Sequence, residues 1–186
     1  MSSKRMKRLL SELTLNADRL LDRPVEPKAL MRALCDSMGT LHGRPVSLRF
    51  RPFPDGLSTS GLKLDFPDHS TIVVEDRTTP EHQLLILGHE LWHLEEGDGG
   101  HHASGAAVAA RTLPDDDVEW DELLAVAARA SSHEANETAA ETFGLLFRGR
   151  FQSWMHGPHA RGPVNQATLE GRIATALDPW VTGSSR

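Results

Sequence analysis

The sequence predicts an α+β fold in which helices outnumber strands. Segments with apolar residues at every third or fourth position occupy both ends of the 186-residue chain, whereas residues 45–75 carry the short alternating patterns of strands. The length and a hydrophobic content of 39% fit one domain with its own core. We therefore expect a single domain over residues 1–186, with N-terminal helices in 1–44, a core in 45–150, and a C-terminal loop and helix in 151–186.

Two helices are predicted before residue 45. Residues 4–22 carry an intermittent apolar stripe, and Pro24 and Pro27 mark its end. A second helix should run from Pro27 to about residue 41, with Leu30, Leu34 and Met38 on one face. The lone Cys35 is expected to pack on this helix as a small hydrophobic residue.

Three strands are predicted between residues 45 and 76. Apolar and polar residues alternate over 46–51, a short apolar pattern surrounds 62–64, and residues 71–75 read Thr-Ile-Val-Val-Glu. Because the intervening turns are short, we expect a small, mainly antiparallel three-stranded meander. The third strand leads almost directly into the next helix, on which the sheet should pack.

That helix, residues 78–97, carries the most specific motif of the chain. Pro80 suits the first helical position, and Gly97 is a typical left-handed terminator. Inside it lies His89-Glu90-x-x-His93, whose two imidazoles project from one helix face and can share one cation. Glu90 lies about 100° further round the helix, close enough to hold a water bound to that cation. The arrangement is typical of a zinc hydrolase.

A later helix over residues 131–151 offers a third ligand. One predicted face is acidic, with Glu134, Glu137 and Glu141, and the opposite face is apolar, with Ala135, Ala139, Thr142, Phe143 and Leu146. Catalytic zinc commonly takes two histidines and one carboxylate. One of these carboxylates is therefore expected to complete the site.

Composition excludes several functional classes. A net charge of −6 argues against a general nucleic-acid binder. A single cysteine cannot form an internal disulfide, and no apolar run is long enough for a membrane span or a signal peptide. We expect a cytoplasmic protein with no direct contact to nucleic acid or membrane.

The run TIVVEDRTTPEHQLLILGHELWH, followed later by ETAAETFGLL, resembles the ImmA/IrrE family of zinc metallopeptidases. The resemblance implies a helix-rich, zincin-like minimal metallopeptidase core, with His89 and His93 as zinc ligands and Glu90 as the general base. It implies Glu137 as the third ligand, whereas a second register would use Glu134 and lose the match at Phe143. Departures from the family pattern are Trp92, Glu141 and Gly144.

The resemblance further implies a function and a partner. Members cleave a cytoplasmic regulator, typically a helix-turn-helix repressor, and some relatives act in toxin–antitoxin pairs. The chain contains no tyrosine, so His101, His102 or His133 would have to stabilise the oxyanion, and Glu141 is expected to orient a ligand imidazole. Two alternatives remain. One is a protein that sequesters the regulator without cleaving it, and the other is a structural metal site closed by a fourth protein ligand.

Overall fold

The computed structural model describes residues 2–53, 59–97 and 134–155. In these ranges the chain forms four α-helices and three strands, which confirms the α+β class. The helices are α1 (Ser2–Leu20), α2 (Pro27–His42), α3 (Pro80–Glu96) and α4 (Glu134–Phe151), and the strands are β1 (Val46–Arg51), β2 (Gly61–Asp65) and β3 (Ser70–Glu75). None of the helices in these ranges is both long and apolar enough to cross a bilayer.

The sheet is mixed, so the expected meander is wrong. Its strand order is β1-β3-β2, with β1 parallel and β2 antiparallel to β3. The reason lies in β3, where every residue from Ser70 to Val74 is buried. A strand that is apolar on both faces is most stable in the centre of a sheet, and the two more polar strands take the edges.

The helices pack on one face of this sheet and form the main core. Leu30, Leu34 and Cys35 of α2 are buried with Ile72 and Val74 of β3. The end of α4 continues into a 3-10 turn at Gln152–Trp154, and its Trp154 carbonyl accepts a 2.7 Å hydrogen bond from Val25 N. Trp154 and Met155, in a stretch expected to be a loop, thus belong to the core. The C-terminal helix expected between residues 151 and 186 falls at 165–177, outside the described residues.

Helices α3 and α4 make the most extensive contact between elements in the described part of the chain. They approach closely because a glycine stands on each. A Cβ atom at Gly88 would lie 2.7 Å from Phe147 Cβ, and one at Gly144 would lie 2.8 Å from the Leu85 carbonyl oxygen. Both distances are shorter than van der Waals contact, so the spacing of the two helices requires residues without a side chain at these positions.

The inward face of α4 differs from the predicted apolar stripe. Ala140, Phe143, Phe147 and Phe151 are fully buried, whereas Leu146 is 44% exposed. Both sets have the spacing of a helix face, so periodicity cannot choose between them. The structure selects the face with three phenylalanines, which buries more apolar surface and stacks the rings along the helix.

A glycine substitution tests the close approach of α3 and α4. We expect Gly144→Ala to lower the free energy of unfolding by about 1–3 kcal/mol, because the added methyl group meets main-chain oxygen that cannot move aside. The matched control is Gly149→Ala on the same helix, where nothing lies within 4 Å. The control should raise stability by up to about 1 kcal/mol through helix propensity. Urea unfolding followed by circular dichroism measures both, and equal effects would contradict the packing argument.

Candidate metal centre

Helix α3 places its two histidines together, as the sequence predicts. It begins at Pro80 after the N-cap Thr79 and ends at Gly97, whose φ is 62°. Its apolar face, with Leu84, Leu87 and Leu91, is fully buried and fixes the rotation of the helix. The Nε2 atoms of His89 and His93 therefore point to the same place and lie 3.0 Å apart.

Helix α4 brings a carboxylate to the same point. Glu137 Oε2 lies 3.3 Å from His89 Nε2, and Glu137 Oε1 lies 3.5 Å from His93 Nε2. The Glu137 side chain is 46% exposed, so the group opens towards solvent on the α4 side. The side chain of Glu134, the alternative third ligand, lies outside the described residues.

The spacing of the three side chains fits a metal ion. A tetrahedral zinc ion with bonds of about 2.0–2.1 Å separates its ligand atoms by about 3.3 Å. The two Nε2 atoms lie 3.0 Å apart, and each of them has a different Glu137 oxygen at 3.3 or 3.5 Å. Two imidazoles and a carboxylate are also a common donor set for divalent transition metals. His89, His93 and Glu137 can therefore hold a metal ion.

Burial favours the form of His89 that binds metal. Partial burial lowers the pKa of His89, although the negative charges of Glu137 and Glu141 act in the opposite direction. A lowered pKa keeps the imidazole neutral, and only neutral imidazole offers a lone pair to a cation.

Glu90 lies on the buried side of the histidines. Its side chain is enclosed by the start of β2, where a Cβ atom at Gly61 would lie 2.7 Å from Glu90 Oε1. Burial raises the pKa of Glu90 to about 8, with a smaller contribution from the charge of Glu137, while the charge of Lys63 acts in the opposite direction. A cation held by the neighbouring histidines would also favour the ionised carboxylate.

Of the remaining predicted site residues, Glu141 is the one whose side chain is described, and it lies outside the group. Glu141 is exposed, makes no hydrogen bond to His89 within the described ranges, and acts on His89 through its charge. The expected orienting role of Glu141 thus finds no support in the contacts of His89. His101, His102 and His133, considered as oxyanion donors or as a fourth ligand, lie outside the described residues.

No protein-family model, curated protein or solved structure matches this chain. The resemblance to the ImmA/IrrE family therefore rests on the motif residues given above.

Two residues that lie beside the site were not predicted from the sequence. Gly61 borders Glu90, and Lys63 lies near both Glu90 and the main chain of His93. Both belong to β2, and their proximity to α3 depends on which strand occupies the sheet edge. A glycine at the start of a predicted strand signals a close approach, but it does not reveal which element approaches.

The triad predicts a single bound divalent ion per chain. Loss of an outer-shell partner already costs about 10–100-fold in metal affinity, so His93→Ala and Glu137→Ala should each weaken zinc binding by more than about 100-fold. Glu141→Ala, one turn further along the same exposed helix face, is the matched control and should keep the ion. Elemental analysis after dialysis and titration calorimetry measure the effect. Full zinc occupancy in Glu137→Ala would remove Glu137 from the ligand set.

Proposed function

We propose that the protein is a zinc-dependent endopeptidase acting on a specific cytoplasmic regulator. The observation that carries this proposal is the convergence of His89, His93 and Glu137 within ligand distance of one another, with Glu90 buried next to His89. Two histidines and one carboxylate are a common ligand set of zinc hydrolases, and a neighbouring glutamate can then act as the base.

Zinc is the ion that the donor set favours. Imidazole nitrogen and carboxylate oxygen suit Zn²⁺, and one ligand atom from each of the three residues lies within 4.8 Å of the other two. When bound, the ion would polarise the scissile carbonyl group and lower the pKa of water towards neutrality.

Glu90 is assigned the proton transfers. Its carboxylate would accept a proton from the attacking water and deliver it to the nitrogen of the leaving amine. Both steps need a carboxylate that is held in place and shielded from bulk solvent. The enclosure of Glu90 by Gly61 and Ile86 meets this requirement.

The position of β2 at the edge of the sheet supports the proposal that the substrate is a peptide. Glu75 N donates to Ser60 O and Phe66 N donates to His69 O, both at 2.9 Å. In an antiparallel pair these two bonds fix which residues of β2 bond to β3. The main-chain groups of Gly61, Lys63 and Asp65 therefore point away from β3, towards the edge that no strand of the described ranges pairs with.

An extended peptide could add to this edge as a further strand, and its main chain would then run past Glu90. The Gly61 carbonyl already accepts a hydrogen bond from Thr59 Oγ1. Lys63 and Asp65 are therefore the residues we expect to pair with the substrate main chain.

The regulator is proposed on the family resemblance. It would be a helix-turn-helix repressor or an antitoxin, and the protein would affect transcription through this partner rather than by contacting DNA. The net charge of −6 agrees with a protein partner.

A second candidate is a zinc-containing protein that sequesters the regulator without cleaving it. The absence of tyrosine favours this alternative, because tyrosine is a common oxyanion donor in zinc peptidases. The same β2 edge would serve for binding. The two candidates differ in whether the bound regulator is cut and whether a chelator stops the cleavage.

The first test replaces the proposed base. Glu90→Gln should retain zinc and lose cleavage by about 10²–10⁴-fold, because the amide cannot accept the proton. His93→Ala should lose both zinc and cleavage. The substrates offered are purified helix-turn-helix regulators, chosen first from neighbouring reading frames where these encode one, and the products are followed by mass spectrometry. Undiminished cleavage by Glu90→Gln would overturn the assignment, whereas tight binding without cleavage by the native protein would favour the sequestering alternative.

The second test concerns the contact between β2 and Glu90. Gly61→Ala should leave the zinc content unchanged and lower the turnover of any cleaved substrate by about 10²-fold. The new methyl group would lie 2.5 Å from Ile86 Cγ2 and 2.7 Å from Glu90 Oε1, so the strand, the Ile86 side chain or the Glu90 carboxylate must move by a fraction of an ångström to about 1 Å. Gly149→Ala, remote from the strand, is the control. Equal turnover in Gly61→Ala and the native protein would show that this contact is not part of the catalytic arrangement.

A further inference from the structure

Lys63 connects the edge strand β2 to the helix that carries the histidines. Its register partner on β3 is Ile72, a fully buried core residue, so the Lys63 side chain projects to the helix side of the sheet. The side chain is only 14% exposed, which is unusual for a lysine. Its main chain meanwhile points away from β3, as does that of Asp65, towards the edge that is unpaired within the described ranges.

The ammonium group of Lys63 contacts both the Asp65 carboxylate and the main-chain carbonyl of His93. It donates to Asp65 Oδ2 at 2.9 Å, and Asp65 Oδ1 accepts a 2.7 Å hydrogen bond from Ser70 Oγ on β3. This pair holds the ammonium group on the sheet. From there, Nζ reaches the main-chain carbonyl oxygen of His93 at 3.5 Å.

The His93 carbonyl is well suited to accept from a cation. His93 lies in the last turn of α3, where the carbonyl groups of a helix accept hydrogen bonds from groups outside the helix. The negative end of the helix dipole also attracts positive charge. Lys63 thus binds the turn that carries a candidate metal ligand, and it does so from the strand that borders Glu90.

We propose that Lys63 is a positioning residue that fixes the His93 turn relative to the β2 edge. The inference deepens the proposed function, because the distance between the edge and the ligand turn would set where a bound peptide meets the metal site. Lys63 acts through His93 and the strand, and it need not touch the reacting atoms.

The test compares three variants. Lys63→Met removes the charge and keeps the aliphatic stem. Lys63→Arg keeps a cation that can still donate to the carbonyl. Lys28→Met is the matched control, since Lys28 forms an ion pair with Asp76 at 2.6 Å but its side chain is 38% exposed and lies on α2.

The first readout is metal binding, measured by competition with a chromophoric chelator. We expect Lys63→Met to bind zinc about 10–100-fold more weakly and to alter the visible absorption spectrum of the cobalt-loaded protein. Lys63→Arg should stay within about threefold of the native affinity, as expected for an outer-shell partner that is retained, and Lys28→Met should match the native protein. Native zinc affinity together with a native cobalt spectrum in Lys63→Met would overturn the proposal.

The second readout needs neither metal nor substrate. In the metal-free protein, hydrogen exchange at the amides of residues 93–97 should be faster in Lys63→Met than in Lys28→Met, because the last turn of α3 has lost its tie to the sheet. Unchanged exchange would also overturn the proposal. If the native protein cleaves nothing, the proposed function fails while this measurement still decides the role of Lys63.

A further variant covers the case in which Lys63→Met does not fold. Asp65→Asn keeps the lysine but weakens the ion pair that holds its ammonium group. Zinc affinity and hydrogen exchange should therefore change in the same direction as in Lys63→Met, but by less. A folded Asp65→Asn protein with native affinity and native exchange would count against the proposal.

Discussion

The candidate metal-binding group of His89, His93 and Glu137 depends on the close contact between α3 and α4. Gly88 and Gly144 remove the side chains that would otherwise separate the two helices, and the main chain of α4 comes near the Leu85 carbonyl. Only at this spacing can Glu137 come within 3.3 Å and 3.5 Å of the two imidazoles. The aromatic residues of the inward α4 face, together with Trp92, hold the helices at that distance. The arrangement of ligands is therefore a consequence of helix packing.

Much of this architecture could be predicted because its signals are local. Helix α3 has a proline at its start, a left-handed glycine at its end, and histidines four residues apart, each of which acts within a few residues. The other helices and the three strands can be predicted in the same way, from the periodicity of their apolar residues. The choice of Glu137 as the third ligand depended on a family resemblance, and in the structure its carboxylate oxygens lie 3.3 Å and 3.5 Å from the two imidazoles.

The features that escaped prediction are those decided by tertiary contacts. The short turns predicted a meander. In the structure β3 is buried on both faces and lies in the centre of the sheet, and β2 lies at the edge opposite β1. The run Thr-Ile-Val-Val was the available signal, since a strand with no polar face is typical of a sheet centre. Helix periodicity likewise allowed two apolar faces on α4, and the choice between them depends on which side chains fill the space beside α3. The roles of Gly61 and Lys63 follow from the same strand order.

The candidate ligands come from two helices, so a bound metal ion would stabilise the folded chain. His89 and His93 come from α3 and Glu137 from α4, so an unfolded chain offers no comparable cluster. By mass action, an ion at about 100 times its dissociation constant adds about 2.7 kcal/mol to the stability of the native state. Withholding such an ion would then shorten the lifetime of the folded molecule. Removal of unfolded chains by proteases would make this protein scarce whenever the ion is scarce.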